Sequence, residues 1–268
     1  MIPLRDNIRS RTFPIINYLM IAVCGFVFFL QLAGEEQLAE RYGMIPARVL
    51  NPGEPVEIVV GTQRVLTTRG IRVDPVTRPA EPAAVPNVLT LLTCIFLHGG
   101  WMHFLGNMWF LFIFGDNVED CFGHFGYGLF YLGCGIAAST AHLVVNPDST
   151  LPTIGASGAI AGVMGAYMYL YPRAQVLALI PFFVFFYLTV LPAPLFLGLW
   201  FFLQFFSGVM AIGATQAGGV AWWAHIGGFV VGFWVAWLLR RSRYLRPCVR
   251  DVRYGSREGF GSRESGPW

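Results

Sequence analysis

TIGASGAIAGVMG, residues 153–165, sets Ser157 among glycines and alanines at the head of an apolar run. The run continues as ASGAIAGVMGAYMYLY, residues 156–171, and closes at Pro172 and Arg173. Ser157, Ala161 and Gly165 recur every fourth residue, with Gly158 and Gly162 beside them. That spacing predicts a helix with a strip of small residues, the surface on which membrane helices approach closely.

The surrounding chain is equally apolar. Of 268 residues, 55% are hydrophobic and 12% charged, about half the charge of an ordinary soluble domain. The mean hydropathy is +0.57. These values describe an integral membrane protein. Residues 14–33 form a first span, read as an uncleaved one, after Arg5, Arg9 and Arg11. WMHFLGNMWFLFIFG (101–115) is a second, ended by an acidic turn, DNVEDCFGHFG. FGYGLFYLGCGIAASTAHLVV (125–145) is a third, and 156–171 the fourth. Residues 175–213 carry no charge but hold Pro181, Pro192 and Pro194. One crossing is expected there, from about 194 to 211, after a partly buried segment. AWWAHIGGFVVGFWVAWLL (221–239) is the sixth.

The expected fold is therefore an all-α polytopic membrane protein of six transmembrane helices with a long first external loop. Residues 1–13 form a cytoplasmic N-terminus and 14–240 the membrane domain. Residues 34–100 form the external loop, with one short hairpin in PVEIVVGTQRVLTTRGIRV, and 241–268 an Arg-rich tail. All eighteen basic residues are arginine. From Arg240 onward the chain carries eight of them against three acids. Beside a membrane that composition suits anionic lipid, and no nucleic-acid partner is expected. The turns at 146–154 and 212–220 have no basic residue, so the positive-inside rule puts both termini in the cytoplasm. The five cysteines show no paired or ligand-like spacing, so neither a disulfide framework nor a metal site is implied.

This topology brings polar residues to one depth. The second, fourth and sixth spans run inward from outside. His103 and Asn107 lie in the first turns of the second, Ser157 opens the fourth, and His225 sits about one turn into the sixth. At about 1.5 Å of rise per residue, all four fall within the outer third of the bilayer. His103 and Asn107 share a face, as do His225, Gly228 and Gly232.

Those residue types suit acyl transfer. A serine hydroxyl needs a base to take its proton, and an imidazole titrates near neutrality. No carboxylate lies at that depth, so Ser157 and His225 make a dyad. The Ser157 N–H at a helix N-terminus, His103 and Asn107 are candidate oxyanion donors. No cofactor or metal is needed.

GASG at 155–158, AHIGG at 224–228 and HGGWMHFLGN at 98–107 resemble the rhomboid family of intramembrane serine proteases, in the family's order. YGMIPARVL at 42–50 is similar to the start of that family's first external loop. The resemblance covers most of residues 88–240. It implies a rhomboid-like bundle with Ser157 as nucleophile, His225 as base, and His103 and Asn107 at the oxyanion site. It also implies transmembrane protein substrates cut near the outer bilayer surface, in a bacterial inner membrane. By the same analogy the uncharged, Phe-rich stretch 182–206 is the wall that moves to admit substrate. Two departures stand out. Ala161 occupies the place of a tyrosine that stacks on the histidine in some members, so another group orients His225. The Trp-Arg pair of many first loops is missing between residues 34 and 100.

Three rival readings are weaker. A transporter favours midplane charges and an internal repeat, and the chain has neither. A non-catalytic rhomboid-like protein that binds membrane helices is the main alternative, but such proteins usually lack the serine or the histidine. A zinc site from His98, His103 and His225 has no carboxylate or HExxH support.

Overall fold

The apolar segments form helices, and two small β-structures flank them. The computed structural model describes residues 1–34, 37–67, 70–182, 185–211 and 220–248. The greater part of the Arg-rich tail, and the turn at 212–219, lie outside the described residues.

The chain opens with strand β1 (Ile2–Asp6) and helix α1 (Ile15–Leu32). The segment after α1 holds two short helices, α2 (Leu38–Tyr42) and α3 (Pro46–Leu50), and a hairpin of β2 (Glu57–Thr67) and β3 (Gly70–Pro79). A short helix α4 (Thr90–Thr93), flanked by 3-10 turns, leads to α5 (Trp101–Phe122) and α6 (His124–Val145). Then come α7 (Ser157–Leu170), strands β4 (Gln175–Phe182) and β5 (Phe185–Pro192), α8 (Ala193–Met210) and α9 (Trp222–Arg241).

Among the described residues, α1, α6, α8 and α9 are long and apolar enough to cross a membrane. Residues 87–96 and α5 meet at 80° and make a fifth candidate if counted together. The expected fourth span, α7, has 14 residues. At 1.5 Å each it rises about 21 Å, short of the ~30 Å hydrocarbon core. The chain is an integral, multi-pass membrane protein.

Helix α7 is central. Gly158, Ala159, Ala161, Gly162 and Gly165 are all buried. It packs along α9 in parallel, backbone to backbone. A Cβ on Gly228 would collide with the Gly158 carbonyl, and one on Gly232 with the Gly162 carbonyl. Only glycine permits that approach, so the two small-residue strips read from the sequence face each other.

The structure corrects three expectations. The fold is mostly helical, not all-α. β1, β4 and β5 form an antiparallel sheet in the order β1-β4-β5, with Asp6 opposite Val176 and Ile180 opposite Tyr187. Pro181 and Pro192 bar a helix through this stretch, and one sits opposite Phe186 while the other ends its strand.

The acidic stretch from Asp116 forms about the last two turns of α5. Its carboxylates find partners in the chain before and at the start of α1. Buried Glu119 accepts the N–H groups of Ile16 (3.0 Å) and Asn17 (2.7 Å), capping α1 where Pro14 offers no side chain. Asp120 accepts from Arg11 (2.8 Å) and Thr12 (3.0 Å).

Cys121 and Cys248 form a disulfide, with Cα atoms 5.2 Å apart across 127 residues of sequence. Spacing alone does not announce such a pair.

The segment between α1 and α4 folds over the Ser157 end of the bundle. Buried Arg48 donates to the carbonyls of Gly43 (2.9 Å) and Glu81 (3.1 Å). Arg78 makes a two-pronged ion pair with Glu40 (2.6 and 3.0 Å), whose carboxyl is held below the usual range against the opposing effect of burial. Met44 pairs through its backbone with Thr153, four residues before Ser157.

Candidate active site

Ser157 owes its position to the turn before it. Gly155 has φ +130°, a left-handed conformation that favours glycine. Its N–H donates to the Cys94 carbonyl at 2.9 Å. A Cβ there would lie 2.8 Å from Cε1 and Nε2 of His103, so glycine also makes room for that imidazole. Ala156, the N-cap of α7, has no side-chain oxygen, and the Ile160 N–H makes the first helical bond, to Ala156 O at 3.0 Å. The N–H groups of the first turn, Ser157's included, are the orphan donors of a helix start.

From α9, His225 reaches across. Its Nε2 lies 2.7 Å from Ser157 Oγ, and its Nδ1 lies 2.7 Å from Gln204 Oε1 on α8. The rings of Trp200 and Trp222 flank the imidazole, with centroids 5.9 and 6.2 Å away. Both members of the pair are half-buried.

His103 and Asn107 stand on α5, one turn apart. The Gly99 N–H donates to His103 Nδ1 at 3.2 Å, so the neutral ring carries its proton on Nε2, the atom beside Gly155. Asn107 is buried, and its Nδ2 donates to the His103 carbonyl at 2.9 Å. One amide hydrogen thus serves the helix backbone, and the second is left for another acceptor.

The other histidines lie elsewhere. His98 is buried among Phe28, His103 and Phe104, and its backbone is clasped on both sides by the Gln31 side chain (2.9 and 3.1 Å). His124 opens α6 and pairs with Glu119 at 2.5 Å. His142 lies in the last turn of α6 beside Asn146. Among the described residues, no three His, Cys, Asp or Glu side chains converge as a metal site.

A small hollow opens beside Ser157, lined in part by Cys94, Ser139, Thr153, Gly155, Ala221 and Ala224. The sequence reading missed Gln204. Its signal was there: a carboxamide inside the Phe-rich run WFFLQFF.

Residues 86–242, more than half of the chain, match the profile of the Rhomboid domain. The chain is 29% identical over 163 residues to Rhomboid protein 1, mitochondrial, of Saccharomyces cerevisiae, covering 59% of this chain and 44% of that protein. It is 43% identical over 79 residues to Rhomboid protease GluP of Bacillus subtilis, covering 30% of this chain and 15% of that protein. It is 40% identical over 72 residues to Rhomboid-like protein 11, chloroplastic, of Arabidopsis thaliana, covering 27% and 25%. The chain thus spans less than half the length of these curated relatives. With the domain match running from just before α4 through α9, the chain belongs to the rhomboid family of membrane proteins.

Proposed function

We propose that this protein is an intramembrane serine endopeptidase that cuts transmembrane segments of other membrane proteins near the outer bilayer surface. The observation that carries the reading is the 2.7 Å contact between Ser157 Oγ and His225 Nε2, made by residues on separate helices. Family membership supports it, as does the pairing of a nucleophile with a base at a helix N-terminus.

In the reaction, His225 Nε2 takes the Ser157 proton as Oγ attacks the scissile carbonyl carbon. The negative charge moves to the carbonyl oxygen. The Ser157 N–H, the Nε2–H of His103 and the spare amide hydrogen of Asn107 hold it. His225 then gives its proton to the departing amine, leaving an acyl ester on Ser157. Water, activated by His225, hydrolyses that ester and regenerates the hydroxyl. No cofactor takes part.

The proposed topology has six helices, with α7 as a short span enclosed by the others. The starts of α5, α7 and α9 face outward, and Arg173, Arg240 and Arg241 lie at the opposite ends of α7 and α9. The proposed location is a bacterial inner membrane with both termini cytoplasmic. α8 carries exposed Phe202, Phe205 and Phe206 and is the proposed moving wall.

The test is cleavage of a single-span reporter by the full-length protein in lipid vesicles. One cut that disappears in Ser157→Ala and in His225→Ala is expected. Reporter capture without any cut would point instead to a helix-binding protein.

A further inference from the structure

The basis for orienting His225 lies on a neighbouring helix. In α8, APLFLGLWFFLQFFSGVM, Gln204 is a large polar side chain in an otherwise almost wholly apolar run. Residues on either side of it, Phe202, Leu203, Phe205 and Phe206, are exposed on the outside of the bundle. A carboxamide in such a helix is costly unless it finds a partner. Gln204 turns inward and meets His225 Nδ1 at 2.7 Å.

That contact bears on the chemistry. To act as base toward Ser157, Nε2 must present its lone pair, so the proton must sit on Nδ1. An acceptor at Nδ1 selects that tautomer and fixes the ring plane. The structure has the amide oxygen of Gln204 at this place. Trp200 and Trp222 confine the faces and edge of the ring but offer no acceptor at Nδ1.

Resting on the serine-protease reading above, we propose that Gln204 is the positioning residue for His225. It holds Nδ1–H through its Oε1 in the role a carboxylate plays in a Ser-His-Asp triad. Because Gln204 rides on α8 and His225 on α9, the bond also ties these helices together at the level of the site.

The test is the rate at which a fluorophosphonate acylates Ser157 in the detergent-solubilised full-length protein, followed from acidic to alkaline pH. Gln204→Met keeps the length but removes the acceptor. Gln204→Glu keeps an acceptor and adds charge. The expected result is a fall of about tenfold or more for Q204M with a melting temperature lowered by no more than a few degrees. Q204E should stay within about threefold of wild type, with the acidic limb of its profile moved up by roughly one pH unit by the carboxylate beside the imidazolium. The reverse ranking, Q204M near wild type and Q204E impaired, overturns the proposal, because it is what a packing role gives. If Q204M does not fold, Q204E decides alone: an unmoved limb overturns the proposal, and a raised one supports it. Failure of wild type to label, or labelling of Ser157→Ala at the same rate, strikes the serine-protease reading itself and is distinguishable from either outcome.

Discussion

The carbonyl of Gly158 lies against the Cα of Gly228, one residue after Ser157 and three after His225. The nucleophile and the base meet because two backbones touch within one turn of them. A valine at Gly228 must push α7 and α9 apart. We expect Gly228→Val to cost at least ~1–3 kcal/mol of stability through overpacking and to abolish acylation of Ser157. Gly198→Ala on α8, where a Cβ meets nothing within 4 Å, is the control. Thermal unfolding in detergent should separate the two, with Gly198→Ala unchanged or slightly stabilised.

The oxyanion donors should affect turnover more than binding. His103→Ala removes an Nε2–H whose ring is already set by the Gly99 amide. Its kcat should fall by about 10²–10³ while KM stays nearly constant. Asn107→Ala should lose less, about tenfold, because part of its amide serves the helix backbone. Steady-state kinetics on the membrane reporter measures both. Equal kcat values for wild type and His103→Ala would remove this imidazole from the mechanism.

At the other end of the bundle, Asp6 joins β1 to the helices. It accepts from Tyr167 (2.5 Å) and from Asn117 (3.0 Å). Burial pushes its carboxyl up from 3.8 to about 6 despite the hydrogen bond from Tyr167. The folded state therefore holds this proton more tightly than the unfolded chain. The stabilisation is fullest below pH 3.8, declines as pH rises toward 6, and is gone above it. Asp6→Asn should flatten that slope. Hydrogen exchange of β1 across the same window reads it, and an identical slope in the variant contradicts the assignment.

Glu119 caps α1 from 102 residues away in the chain. Glu119→Ala strands the amides of Ile16 and Asn17 and should cost about 1–3 kcal/mol. The loss should show as faster exchange in the first turn of α1, with the Ser157–His225 contact intact. Unchanged exchange there would mean that water replaces the carboxylate.

The sequence carried much of this architecture because an apolar run of bilayer length needs no partner to be read. The ends of α1, α6, α8 and α9 fall within about two residues of the hydrophobic segments. The depth argument expected Ser157 and His225 near one another, and their side chains lie 2.7 Å apart. What escaped depends on distant partners. The acids after residue 115 look like a turn until Arg11, Thr12 and the start of α1 are folded against them. The uncharged run from 175 to 192 has no polar face to impose a period, and β1, its partner, pairs with it from 170 or more residues earlier. Gln204 stands out in its Phe-rich run, but only the packing of α8 on α9 brings it to His225.

The most direct measurement is tandem mass spectrometry of the full-length protein after fluorophosphonate treatment at neutral pH. The account predicts a single phosphonyl adduct on the Oγ of Ser157, reduced by about 10³-fold or more in His225→Ala. An adduct on another residue, or undiminished modification of Ser157 without the imidazole, would contradict it.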